Sequence, residues 1–241
     1  MSVNRRLVRA IVAKELREFR RNRSLVVGMA IIPLVFSVQP LVSVFALTSS
    51  ASGPLRHEHV LLYMLGIPAL VPSLVASYSV VGEREQGTLE PLLTTPIRRE
   101  ELLLGKALAT FLPAVAVAYG VFALFLVCVE LFAKPGVASA IVRPSDLLAQ
   151  VVFTPLLAGC SIWIAIVIST RFNDDRVAQQ LSTVASLPAV ALAIVIALNV
   201  IQPSLRTAII AAVILLLLNR AGWRVASALF DRERLITGTK S

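Results

Sequence analysis

Charge is what this chain has least of. Only 15% of its 241 residues are Asp, Glu, Lys or Arg, while 57% belong to the apolar set AVILMFWYC. Soluble domains carry about 25% charged residues. A water-soluble globule is excluded, because a domain of this size buries only about 70% of the surface its chain exposes. Disorder is excluded by the same apolar excess. Cysteine is scarce too: Cys128 and Cys160 lie inside apolar runs, without CxxC spacing or a local histidine. That removes a disulfide framework and a cysteine metal site, and leaves two small buried hydrophobes. A P-loop is missing as well. The nearest string to G-x-x-x-x-G-K-[ST] is Gly105-Lys106-Ala107, which lacks the first glycine and the magnesium-binding hydroxyl. No catalytic constellation appears, so neither a cofactor nor a reaction is expected of this chain.

What is present is membrane-spanning sequence. A hydrocarbon core of about 30 Å needs roughly 20 apolar residues in a helix. Six runs qualify: Ser24 to Leu47, Val60 to Val81, Ala107 to Phe132, Leu147 to Thr170, Ala178 to Leu198, and a shorter one from Ser204 to Asn219 that gains length through Trp223. Pro33, Pro40, Pro68, Pro72, Pro113, Pro155 and Pro188 punctuate them. Membrane helices tolerate such kinks because neighbouring groups satisfy the freed carbonyls. A cleaved signal peptide is not expected, since the charged segment before the first run is 23 residues long and the run exceeds the usual h-region of about 7–15 residues. The expected fold is an all-α polytopic membrane protein.

The net charge of +9 is explained by placement rather than by nucleic acid, for which no basic patch interleaved with aromatics exists. Eight basic residues fall within the first 23 positions, and five follow the last apolar run. With the first segment cytoplasmic, the inner segments hold nineteen basic residues and the outer ones four: Arg56, Lys134, Arg143 and Arg206. The positive-inside rule therefore puts both termini in the cytoplasm, and the expected location is the cell (plasma) membrane. Ionisable residues avoid the span centres. Glu130 and Arg206 sit near outer ends, and no relay for ion-coupled transport is visible.

Two cytoplasmic segments have internal order. On a helical wheel, Leu7, Val8, Ile11, Val12, Leu16 and Phe19 share one half. Arg6, Arg9, Lys14, Arg17, Arg20 and Arg21 fill most of the other, and Glu15 intrudes on the apolar side. Such a helix suits the inner interface, with arginines reaching anionic headgroups. The second segment is the loop from Gly82 to Pro96. Thr88 is placed to cap a short helix opening Leu89-Glu90-Pro91. Thr95-Pro96 repeats that signal for a helix over Ile97 to Ala107, with Glu100 and Glu101 near its positive end. Leu89, Leu92 and Leu93 would then face outward, either as a protein docking surface or as a connector resting on lipid.

The stretch Gly82-Glu83-Arg84-Glu85-Gln86-Gly87-Thr88-Leu89-Glu90-Pro91-Leu92-Leu93-Thr94-Thr95-Pro96 resembles the signature loop of ABC-2 type transporter permeases, approximately E-R-E-x-G-T-L-E-x-L-L-x-x-P. The basic amphipathic helix, the six-span plan and the loop into span five, with Ala178-Gln179-Gln180-Leu181, extend that likeness over nearly the whole chain. The resemblance implies a single transmembrane domain: interfacial helix 1–23, membrane core 24–220 with a coupling loop at 82–106, and cytoplasmic tail 221–241. It implies that Thr88 to Thr95 couple the permease to a separate ABC ATPase subunit, which binds ATP and magnesium. It also implies that Glu83, Arg84 and Glu85 link this segment to the arginines of the N-terminal helix, and that a second permease copy or a related permease completes an export pathway. Asn199 to Leu205 is short for the re-entrant segment found before the last span in many relatives.

Other features admit simpler readings beside sharper ones. His57-Glu58-His59 is a solvated loop or a metal catch. Asp174-Asp175 is a helix cap or, in a lipid-modifying enzyme, a carboxylate pair. Gln39, Tyr78, Tyr119, Thr154 and Ser161 are pathway groups or interhelical glue. A regulatory or assembly subunit of ABC-2 ancestry is the remaining alternative to a transporting permease.

Overall fold

A computed structural model describes residues 4–45, 59–85, 98–172, 174–198, 200 and 204–229. Among these there are eight α-helices and no strand: α1 (Arg5–Arg21), α2 (Arg23–Phe45), α3 (Gly66–Glu85), α4 (Arg99–Phe132), α5 (Pro135–Ile141), α6 (Pro144–Ser169), α7 (Asp175–Ala197) and α8 (Leu205–Leu229). A 3-10 helix, Val60–Leu65, leads into α3. Six of these helical stretches are long and apolar enough to cross a bilayer. They match the six apolar runs of the sequence.

Local chemistry sets the boundaries. The Asn4 side chain accepts from the Arg6 amide and opens α1. Asn22 then turns the chain with an extended backbone while its side-chain oxygen accepts from Ser24 and Leu25, so one residue closes α1 and opens α2. The 3-10 start departs from the single helix expected over Val60 to Val81, and it ends just ahead of Pro68. Without an N–H, Pro68 cannot donate to the Met64 carbonyl. Gly66 sits there against the Phe36 ring, where a β-carbon would collide. Ser204 and Thr207 cap α8 reciprocally, each hydroxyl accepting from the other's amide.

One expectation is corrected, and one element is added. The helix predicted over Ile97 to Ala107 begins at Arg99 with Arg98 as its N-cap, because the Glu101 carboxylate accepts from the Arg98 amide at 3.2 Å. It continues unbroken into span three. At about 1.5 Å per residue, the 34 residues of α4 measure about 51 Å, so the first turns project beyond a hydrocarbon core of about 30 Å. The connection from span three to span four also carries the short helix α5, whose buried Val137 and Ile141 belong to one apolar cluster with Phe125 and Val129.

The second span is the hub. Of the apolar stretch Val60–Tyr78, 89% is buried, against none of the corresponding window of α8. α3 is packed by α2, α4, α6 and α7, while α8 leans chiefly on α6. Leu34, Leu124, Leu148 and Leu217 point outward, as lipid-facing positions should. At the end carrying α1, one cluster unites Ile11, Ala76, Leu102, Leu103, Ala107, Ile162, Ile166 and Ala226. The α6–α8 contact in that region rests on small residues. A β-carbon at Gly222 would lie 2.6 Å from Trp163 Cβ, and Trp163 meets Trp223 edge-on at 5.4 Å. Asn219 adds a polar tie, donating to the Leu156 and Leu215 carbonyls at 2.9 Å.

Candidate functional site

The site grows from a charge in the wrong place. Glu15 interrupts the apolar stripe of α1, between buried Ile11 and Phe19, and is itself only 1% exposed. An ionised carboxylate there needs a partner inside the protein. Lys106, on α4 and also 1% exposed, supplies it at 2.8 Å. The preceding residue is Gly105, and the branched side chain of Ile11 lies over it. A β-carbon at Gly105 would sit 2.6 Å from Ile11 Cγ2, so α1 rests directly on the α4 backbone. One turn earlier, Glu101 accepts from the Asn4 amide at 2.8 Å as well as from Arg98. Those two amide donors, Asn4 first, hold the Glu101 carboxyl below its usual range.

These contacts make α1 part of the bundle end rather than a detached anchor. Its opposite side carries Arg9, Arg17, Arg20 and Arg21, all exposed. Lys14 pairs with Glu18 at 3.4 Å, with both side chains more than a third exposed, so that bridge contributes little. Arg20 and Arg21 fall in the last turn, where cations complement the helix dipole.

Of the predicted coupling residues, Glu83, Arg84 and Glu85 form the end of α3, whose backbone is helical to Glu85; their side chains are outside the description. Gly87, Thr88, Leu89, Glu90, Leu92, Leu93, Thr95 and Pro96 lie outside the described residues. Both flanks of the 86–97 segment are described, and they converge. Ala76 of α3 and Leu102, Leu103 and Ala107 of α4 share one cluster with Ile11 of α1. From the sequence Asn4 was not singled out, Glu101 stood only as an acidic residue near a helix start, and Gly105-Lys106 only as an incomplete P-loop string. The signal that could have found Lys106 was the intruding Glu15, which demands a buried cation.

The other candidates resolve individually. His59 Nδ1 lies 2.7 Å from Asp146 Oδ1, tying the start of span two to the start of α6, while His57 and Glu58 lie outside the described residues. No group of three or more His, Cys, Asp or Glu suited to a metal occurs among the described residues. Asp174 caps α7, accepting from the Arg176 and Val177 amides. Tyr119 donates to the Val151 carbonyl at 2.7 Å and Ser161 to the Ala69 carbonyl at 2.6 Å, so both act as interhelical glue. Thr154 Oγ1 makes no such bond.

Comparison with known proteins agrees with this architecture. The family model described as "ABC-2 family transporter protein" matches residues 9–230, from the first turns of α1 to just past the end of α8. A search of curated proteins gives no match. With six spanning helices and a family match over most of its length, the chain belongs to the ABC-2 transporter family and is a multi-pass transmembrane permease component.

Proposed function

We propose that this permease couples to a separate ABC ATPase subunit through residues 82–96 and exports its substrate across the plasma membrane. It would do so with a second permease copy or a related permease, both termini being cytoplasmic. The observation that carries the proposal is the buried Glu15–Lys106 pair, which locks α1 to the helix leaving this segment. A push on Leu89, Leu92 or Leu93 would reach α3 through Glu85 and α4 through Arg98. Because α1 is clamped onto α4, it would move with them instead of absorbing the displacement. ATP and magnesium belong to the partner, and the arginines of α1 face anionic headgroups.

The test is mild-detergent purification of the tagged full chain from its host, with mass spectrometry and an ATPase assay. A P-loop ATPase is expected near equal stoichiometry with the wild type and lost from Leu92→Arg, with the variant still eluting as a monodisperse membrane protein. Recovery of an ATPase whose rate and association ignore Leu92→Arg and Glu90→Arg would move the coupling surface elsewhere. Failure to recover one, under conditions that keep an ABC complex intact, would leave a regulatory subunit.

A further inference from the structure

The outer half of α6 carries a stripe of polar side chains that face protein rather than lipid. Asp146, Gln150 and Thr154 succeed each other at four-residue steps, on one helix face, and are 2%, 0% and 0% exposed. Among the described residues, five buried side-chain polar atoms lack a hydrogen-bond partner, and four are here: Asp146 Oδ2, Gln150 Oε1, Gln150 Nε2 and Thr154 Oγ1. Thr154 departs from the habit of this chain. Ser37, Ser73, Thr110, Ser169, Ser182 and Thr183 each donate to a carbonyl three or four residues back. α6 packs here against the 3-10 helix, α3 and α7, and the mouth of the seam is His59. The His59 amide donates to the Ala197 carbonyl at 2.8 Å, so the small residues Ala197 and Ala193 of α7 stand beside that end. Asp146 Oδ1 is engaged by His59 and by the Ser145 hydroxyl, which leaves Oδ2 to the interior.

The chemistry of the orphan set identifies the occupant. The carboxylate excludes an anion. A bare cation would satisfy the three oxygens and leave the two N–H donors of Gln150 without an acceptor. Water both donates and accepts, and buried water ordinarily occupies such groups. We propose that this seam is a bound-water site, a short file entered beneath His59 that links Asp146 Oδ2, Gln150 and Thr154. It gives span four a polar interior while Leu148 and Val151, 63% and 57% exposed, keep its lipid face dry.

High-resolution cryo-electron microscopy of the full chain in nanodiscs tests this directly. Ordered water peaks are expected at hydrogen-bond distance from Gln150 and Asp146 Oδ2. Thermal melting of Gln150→Leu and Thr154→Val gives a second reading that does not depend on map quality. Loss of a satisfied network lowers the melting temperature, whereas removal of truly orphaned groups leaves it unchanged or raises it. Direct pairing of Gln150 with Asp146 or Thr154, or melting at or above wild type in the conservative Thr154→Val, would overturn the site. A saturable rise of the melting temperature with sodium in place of choline would overturn it in favour of a cation site.

Discussion

At the residue scale, the Glu15–Lys106 pair makes the sharpest prediction. Removing one partner of a buried pair takes from the other its closest counter-charge, at a cost of about 3–5 kcal/mol, while replacing both with apolar side chains is often neutral. Lys106→Met is therefore expected to lower the unfolding midpoint strongly, and Glu15→Leu with Lys106→Met to recover most of it, read by thermal unfolding in nanodiscs. If Lys106→Met alone melts like the wild type, the pair is not stabilising. Glu101 adds a pH dependence. Its carboxyl is held low by the Asn4 and Arg98 amides, so the stabilisation is present above the ordinary carboxylate pKa and lost as pH falls through the lowered one. The protection of those two amides, taken as exchange relative to the intrinsic rate at each pH, should fall only on acidification below that range. Glu15 was legible in the sequence as an anomaly. Asp146 and Gln150 were not, because a polar residue near a span end reads as an interfacial one until a neighbouring helix covers it.

At the scale of elements, α1 is held by close approach as much as by charge. Gly105→Ala should pry it from α4 at a cost of about 1–3 kcal/mol, because the atom it meets belongs to the β-branched Ile11 rather than to a flexible tip. Hydrogen exchange over residues 5–21 should rise in Gly105→Ala and return toward wild type in Gly105→Ala with Ile11→Ala. Gly222→Leu should loosen α8 from Trp163 in the same way, seen as altered indole fluorescence. The six spans were legible because an apolar run of about 20 residues has few other readings. Seven-residue α5 was not, since it is too short for periodicity to register. The 3-10 start of span two was hidden because its six residues are as apolar as the helix they lead into.

At the scale of the whole molecule, charge placement makes a topological prediction. In a Cys128→Ala, Cys160→Ala background, an impermeant maleimide applied outside should label Lys134→Cys, exposed just before α5, and leave Arg17→Cys in α1 untouched. The reverse pattern would invert the chain. The burial of span two has a consequence for biogenesis. α3 is complete at Glu85, but two of the helices that enclose it end at Ser169 and Ala197. At roughly 5–20 residues per second, span two waits on the order of 10 s for its neighbours. Two of its hydroxyls are provided for locally: Ser73 donates to the Leu70 carbonyl and Ser77 to the Leu74 carbonyl, so neither needs a later helix. The Ala69 carbonyl receives Ser161 only when span four arrives. The order of synthesis thus sets the order of assembly, with a hub inserted early and sealed late, and a substitution that unties Ser73 or Ser77 would act first on the nascent chain rather than on the finished permease.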